Sequence, residues 1–190
     1  VFTSGSTGEP KGVVVPHTGP AAIARDMWAR FGAGDGIDVG ARWLAVASPM
    51  FDMAHFEILA CAALGHTLIP AAGLDDDLGR ALLDHRITHL MATPTVLNRI
   101  PAHTLPATVA AIGEALSPAL AARITRRPPG ASGERRVFNT YGPAEATLYA
   151  TAAPITFGLR HIDVGVATGA GASGFGSNVS WWAMPPGRKI

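Results

Sequence analysis

The sequence predicts an α/β fold of parallel or mixed sheets flanked by helices, and two observations carry that expectation. Short apolar runs alternate with longer stretches of helical spacing, the pattern of strands joined by crossover helices. The segments between them are rich in Gly, Pro and Asp, notably 32–40 and 71–77, as turns at a sheet edge require. A chain of 190 residues, 48% of them hydrophobic and only 15% charged, can bury such a core without staples.

Taken in order, the first strand is expected at 12–15, where three consecutive valines favour extended backbone. A helix at 17–30 follows, then an apolar strand at 42–47. The run Ile58-Leu59-Ala60-Cys61-Ala62-Ala63-Leu64 marks a helix over 54–64 with Cys61 as a small core residue. Strands at 66–69, 88–92, 108–112 and 136–138 are short apolar runs, separated by helices at 78–85, 94–100 and 117–124. Ser117-Pro118 opens the last of these as a capping residue followed by Pro at the first helical position. The arginines at 126, 127, 135 and 136 surround a Pro-Pro-Gly-Ala-Ser-Gly stretch and read as a solvated loop. Beyond Phe157 no period survives, and 159–190 is a divergent glycine-rich tail.

Composition excludes several classes of function. Lys and Arg total 15 against 14 Asp and Glu, so the dense basic face of a nucleic-acid binder is not expected. No run of 18 apolar residues occurs, which argues against a transmembrane helix. One cysteine can form neither an internal disulfide nor a four-cysteine zinc site, and a cytoplasmic location is expected. The chain starts at Val1 and enters a glycine loop at once, which reads as a piece of something longer.

Three segments carry chemistry. In Thr3-Ser4-Gly5-Ser6-Thr7-Gly8-Glu9-Pro10-Lys11-Gly12, the glycines let backbone N–H groups approach an anion, hydroxyls add donors and Lys11 adds a point charge. This is a polyphosphate loop but not a Walker loop, because Pro10 and Gly12 flank the lysine. In Asn139-Thr140-Tyr141-Gly142-Pro143-Ala144-Glu145, a carboxylate beside a Gly-Pro turn can hold Mg²⁺ and Tyr141 offers a ring face. In Phe51-Asp52-Met53-Ala54-His55-Phe56-Glu57, Asp52 either caps the helix behind it or pairs with a ligand ammonium. The literal dinucleotide fingerprint at Gly169, Gly171 and Gly174 lacks the helix start and later acidic residue it needs. His85 and His89 lack a third metal ligand.

Together with Ile112-Gly113-Glu114-Ala115-Leu116, these segments appear in the order found in the adenylate-forming superfamily, and residues 1–158 resemble the core of a nonribosomal peptide synthetase adenylation domain. The resemblance implies part of the large N-terminal subdomain of such an enzyme, with the C-terminal subdomain and its catalytic Lys beyond Ile190. The isolated chain is therefore expected to be inactive. It also implies roles. Thr3, Ser4, Gly5, Ser6, Thr7, Gly8 and Lys11 would wrap the phosphates of ATP. Gly113, Glu114 and Ala115 would form one wall of the adenine slot opposite Tyr141, with Asn139 at the adenine amino group. Glu145 would hold Mg²⁺, although Ala144 stands where the family usually offers a Thr oxygen.

The implied reaction converts an amino acid to aminoacyl-AMP, releasing pyrophosphate, and loads it onto a phosphopantetheinylated carrier protein for secondary-metabolite synthesis. Asp52 matches the family position that pairs with the substrate ammonium. Met53, Phe56, Met91, Ala110, Ile112, Thr140, Leu148 and Tyr149 match the side-chain pocket. None of the eight is charged, so an uncharged side chain of medium apolar or aromatic type is expected. An acyl- or aryl-acid:CoA ligase of the same superfamily and a non-catalytic nucleotide-binding fragment are the competing expectations.

Overall fold

The computed structural model describes residues 2–4, 9–31, 40–71, 77–127, 135–155 and 166–167. Strands β1 (Phe2–Ser4) and β2 (Pro10–Gly12) form a separate antiparallel pair that sets Thr3 opposite Lys11. Helix α1 (Thr18–Phe31) then leads into a sheet built from β3 (Arg42–Ala45), β4 (Thr67–Pro70), β5 (His89–Ala92), β6 (Thr108–Ala111), β7 (Arg136–Tyr141), β8 (Thr151–Ile155) and β9 (Val166–Ala167). Their spatial order is β4-β3-β5-β6-β7-β8-β9. The first five are parallel, and β8 and β9 add antiparallel at one side.

Helices α2 (Asp52–Leu64), α3 (Leu78–Asp84), α4 (Pro94–Arg99) and α5 (Pro118–Thr125) supply the crossovers. Because successive strand residues face opposite sides, the core divides in two. Leu44, Leu90, Val109 and Val137 pack with Leu82 of α3, Leu97 of α4 and Ile124 of α5. Their neighbours in sequence, Trp43, Met91, Ala110 and Phe138, pack with Ile23 and Met27 of α1 and Phe56 and Cys61 of α2. Both central strands, β5 and β6, are buried along their whole length, as expected for parallel strands covered on both faces.

Local chemistry fixes the helix ends. The Thr93 and Ser117 hydroxyls accept from the N–H groups of Val96 and Leu120, and Pro94 and Pro118 occupy first-turn positions. Asp77 caps α3 through the N–H of Arg80. Helix α2 stops at Gly65, whose φ of 68° lies in the left-handed region that glycine tolerates best.

Three expectations need correction. The strand expected at 12–15 is instead Pro10–Gly12, the second of the chain; it stops at Gly12, opposite Phe2 where its antiparallel partner begins, and Val14 is left 95% exposed. The strand Thr151–Ile155 is an element the sequence reading does not place. The described part of β9 pairs only with Thr151 and Ala152, so Pro154 lies beyond it. Arg135 is not in a solvated loop. It is 5% exposed, and its guanidinium donates to the carbonyls of Ala102, Leu105, Pro106, Ile124 and Arg126. Five fork-like donors match five carbonyls left over by the end of α5 and the turn at 102–106. Burial lowers its pKa to about 10, so it remains charged at neutral pH.

Candidate functional site

The carboxyl ends of parallel strands gather whatever follows them, and in open α/β sheets that edge is where ligands bind. Strand order reverses between β3 and β5, since β3 connects outward to β4 whereas β5 connects the other way to β6. Asp52 begins the helix that follows β3, so it sits beside this switch point. It does not cap α2: Phe51 is the N-cap, without a side-chain bond, and Asp52 Oδ1 accepts from the N–H of Met53 at 2.8 Å. Burial raises the Asp52 pKa, with nearby Glu145 adding to the rise and backbone N–H groups and His55 opposing it.

Asp52 and Glu145 therefore share one field although 93 positions separate them in sequence. Glu145 is exposed on a 3-10 turn, Ala144–Ala146, directly after β7. The parallel register sets Ala111 of β6 beside Asn139 of β7, which brings Gly113, Glu114 and Ala115 alongside the end of β7. Asn139 is buried, Tyr141 is 44% exposed, and Gly113 holds a φ of 83° where the chain turns off β6. The Glu114 carboxylate accepts from both the backbone N–H and the hydroxyl of Thr95, at 3.0 and 2.7 Å, and these bonds lower its pKa. Its side chain is thus tied to the start of α4. A groove of about 380 Å³ runs past Thr95, Glu114, Ala115 and Ser117 toward Arg123.

Thr3 and Lys11 flank the stretch predicted to hold phosphate; Lys11 is exposed and Thr3 half-buried. Gly5, Ser6, Thr7 and Gly8, and the glycines at 169, 171 and 174, lie outside the described residues, as does the side chain of Ser4.

The expected side-chain pocket is brought together more tightly than the sequence suggests. Phe56, Met91, Ala110, Ile112, Leu148 and Tyr149 all belong to the core layer under α1 and α2, and only Met53 is half-exposed. Thr140 is buried with its hydroxyl donating to Ala111 O at 2.9 Å.

Sequence reasoning missed two features. Glu57 is 2% exposed with neither carboxylate oxygen in hydrogen-bonding geometry, and burial pushes its pKa to about 8 against the partial pull of the Val46 and Ala47 amides. An acid in the middle of an otherwise apolar helix, past its first turn, was the available signal. Asp26 and Arg30 of α1 form an ion pair at 2.8 Å, and the Tyr149 hydroxyl donates to Asp26 at 3.0 Å. Their i, i+4 spacing is legible in sequence, but the partner 123 residues away is not. Cys61 is buried as expected, its pKa raised to about 12 by burial and by Glu57, which makes it a poor nucleophile. Among the described residues no helix is long and apolar enough to cross a membrane.

A profile of the AMP-binding enzyme family matches residues 1–171. The chain is 39% identical over 159 residues to the phosphinothricin tripeptide synthetase PhsC of Streptomyces viridochromogenes, covering 80% of this chain and 14% of that protein. It is 37% identical over 177 residues to the nonribosomal peptide synthetase agiA of Aspergillus flavus, covering 87% of this chain and 2% of that protein. Among solved structures, the N-terminal subdomain of Klebsiella oxytoca NpsA in complex with anthranilyl-AMSN superposes with a TM-score of 0.72 at 24% identity, covering 89% of this chain and 45% of that one. The Vibrio cholerae adenylation domain AlmE, in complex with glycyl-adenosine-5'-phosphate, gives 0.72 at 22% identity, covering 87% and 32%. The chain thus spans a small part of each synthetase and under half of either solved neighbour.

Proposed function

The chain belongs to the AMP-binding enzyme family, and from that premise we propose that it forms the nucleotide- and amino-acid-binding core of an enzyme that makes an aminoacyl-AMP in the cytoplasm. ATP and an amino acid with an uncharged side chain are the substrates. The thiol of a phosphopantetheinylated carrier protein then takes the aminoacyl group and AMP leaves, in keeping with the peptide synthetases among its relatives.

The observation that carries this reading is Asp52: a half-buried carboxylate at the carboxyl edge of the sheet, beside the strand-order reversal. Burial raises its pKa despite the opposing pull of backbone N–H groups and His55, and an ammonium group seated there would favour the ionised carboxylate further. With the amino acid held by its ammonium, its carboxylate oxygen attacks the α-phosphorus of ATP. The new O–Pα bond forms as the Pα–O–Pβ bond breaks, and pyrophosphate leaves with the bonding electrons. Lys11 and the hydroxyl-rich segment beginning at Thr3 bind the departing phosphates, and Tyr141 and 113–115 orient the adenine; positioning of this kind supplies much of such a rate enhancement.

Glu145 fits Mg²⁺, which is commonly bound by one or two carboxylates together with substrate phosphates and waters. Exposed at the same edge as Asp52, Glu145 would be its protein ligand, while Ala144 offers no side-chain oxygen. When bound, the ion neutralises phosphate charge.

Isothermal titration tests this reading. The 190-residue chain should bind ATP with Mg²⁺, and Lys11→Ala should weaken that binding about tenfold or more by removing a charge-assisted contact. Asp52→Ala should leave ATP binding intact. It should abolish discrimination between an aminoacyl-sulfamoyl adenosine and its analogue lacking the amino group. Failure to bind ATP, or equal binding of the two analogues by the unaltered chain, overturns the proposal.

A further inference from the structure

We propose that Asp26 and Arg30 are positioning residues that hold Tyr149 across the inner end of the amino-acid pocket, restricting the substrate to a small side chain. The inference rests on the reading of Asp52 and its neighbouring pocket given above. Tyr149 and Met91 are each 0% exposed, and Ala110 and Leu148 are 2% exposed. A side chain with no accessible surface touches no water-sized space, whether open to solvent or enclosed, so Tyr149 and Met91 border no room for a large substituent, and Ala110 and Leu148 border almost none. Exposure along the predicted pocket is confined to Asp52 and Met53 at its mouth.

Three contacts keep Tyr149 where it is. Its hydroxyl donates to Asp26 Oδ2 at 3.0 Å, and both oxygens of that carboxylate accept from Arg30 Nε, at 2.9 and 2.8 Å. The Phe56 ring meets Tyr149 edge-on, with centroids 6.5 Å apart. Gly142 packs directly on the Tyr149 backbone, where a Cβ would lie 2.4 Å from Tyr149 Cα. A phenol swung aside to admit a bulky substrate would leave the Asp26–Arg30 pair without its third member and strand a buried hydroxyl. The charged pair is the part a list of the eight pocket positions omits, because Asp26 reaches that set only through its bond to the Tyr149 hydroxyl.

The test measures binding of glycyl-, alanyl-, leucyl- and phenylalanyl-sulfamoyl adenosine to the full chain. The unaltered chain should bind the alanyl compound about 10- to 100-fold more tightly than the phenylalanyl one, the span that misfit of a few carbons produces. Asp26→Ala should bring that ratio to about threefold or less by freeing the phenol. Asp26→Asn, which keeps an acceptor for the hydroxyl, should restore selectivity. Should Asp26→Ala fail to fold, Tyr149→Ala serves instead and should favour the phenylalanyl compound. A merely structural role would weaken all four ligands alike. Equal or tighter binding of the phenylalanyl compound by the unaltered chain refutes this inference and leaves amino-acid activation standing, whereas no binding of any of the four overturns both.

Discussion

Replacing Glu57 by Gln should make the protein more resistant to unfolding at pH 8 than the unaltered chain, while the two remain alike at the acid end. Glu57 is sealed under α2, its carboxyl lacks a hydrogen bond, and burial moves its pKa from 4.5 to about 8. Between those values the folded chain holds a proton that the unfolded chain has released. Stability therefore falls as pH rises through this window and levels off above about 8, where both states are ionised. The slope is at most about 1.4 kcal/mol per pH unit, which caps the total loss at about 5 kcal/mol. Gln fills the same volume and does not titrate, so subtracting the two profiles cancels every other group. Urea midpoints at pH 5, 6, 7 and 8 at fixed ionic strength measure the difference, which should grow by several kcal/mol toward pH 8. Parallel profiles would refute the reasoning, since they would mean that Glu57 ionises at an ordinary pKa and is not buried as described. The consequence reaches the site, because Glu57 lies beside the amides of Val46 and Ala47, in the segment that leads to Asp52.

Arg135→Met should lower stability by at least about 3 kcal/mol in thermal or urea unfolding, since five carbonyls lose charged donors; Arg135→Lys should recover only part, because an ammonium has three donors and no planar fork. Gly142→Ala should cost about 3 kcal/mol or more, because its Cβ would meet Tyr149 Cα at 2.4 Å and Ala150 N at 2.5 Å, backbone atoms that cannot step aside. It should also loosen selectivity among the aminoacyl-sulfamoyl adenosines, and an unchanged melting temperature would contradict the packing described here.

Most of the sheet was legible because its strands are nearly continuous apolar runs between turn residues. The caps at Ser117 and the break at Gly65 act within a few residues, and such signals survive in sequence. Pairing was the harder part. Nothing local says that β8 returns antiparallel against β7, or that Pro154 lies past the described part of its outer partner. The motif segments identified Asp52, residues 113–115, Tyr141 and Glu145 as a group, and the sheet gathers them at its carboxyl edge because each ends or follows a parallel strand. Arg135 was misread because a run of arginines beside Pro and Gly resembles a solvated loop until the carbonyls around it are located. Asp26 escaped notice because an i, i+4 ion pair on a helix is ordinary, and its bond to Tyr149 crosses the whole chain.

The most direct test of amino-acid activation is isotope exchange between pyrophosphate and ATP in the protein that carries this chain. Label should enter ATP only when an amino acid with an uncharged side chain is supplied, and Asp52→Ala should abolish that dependence. Exchange driven equally well by a carboxylic acid without an amino group would contradict the account.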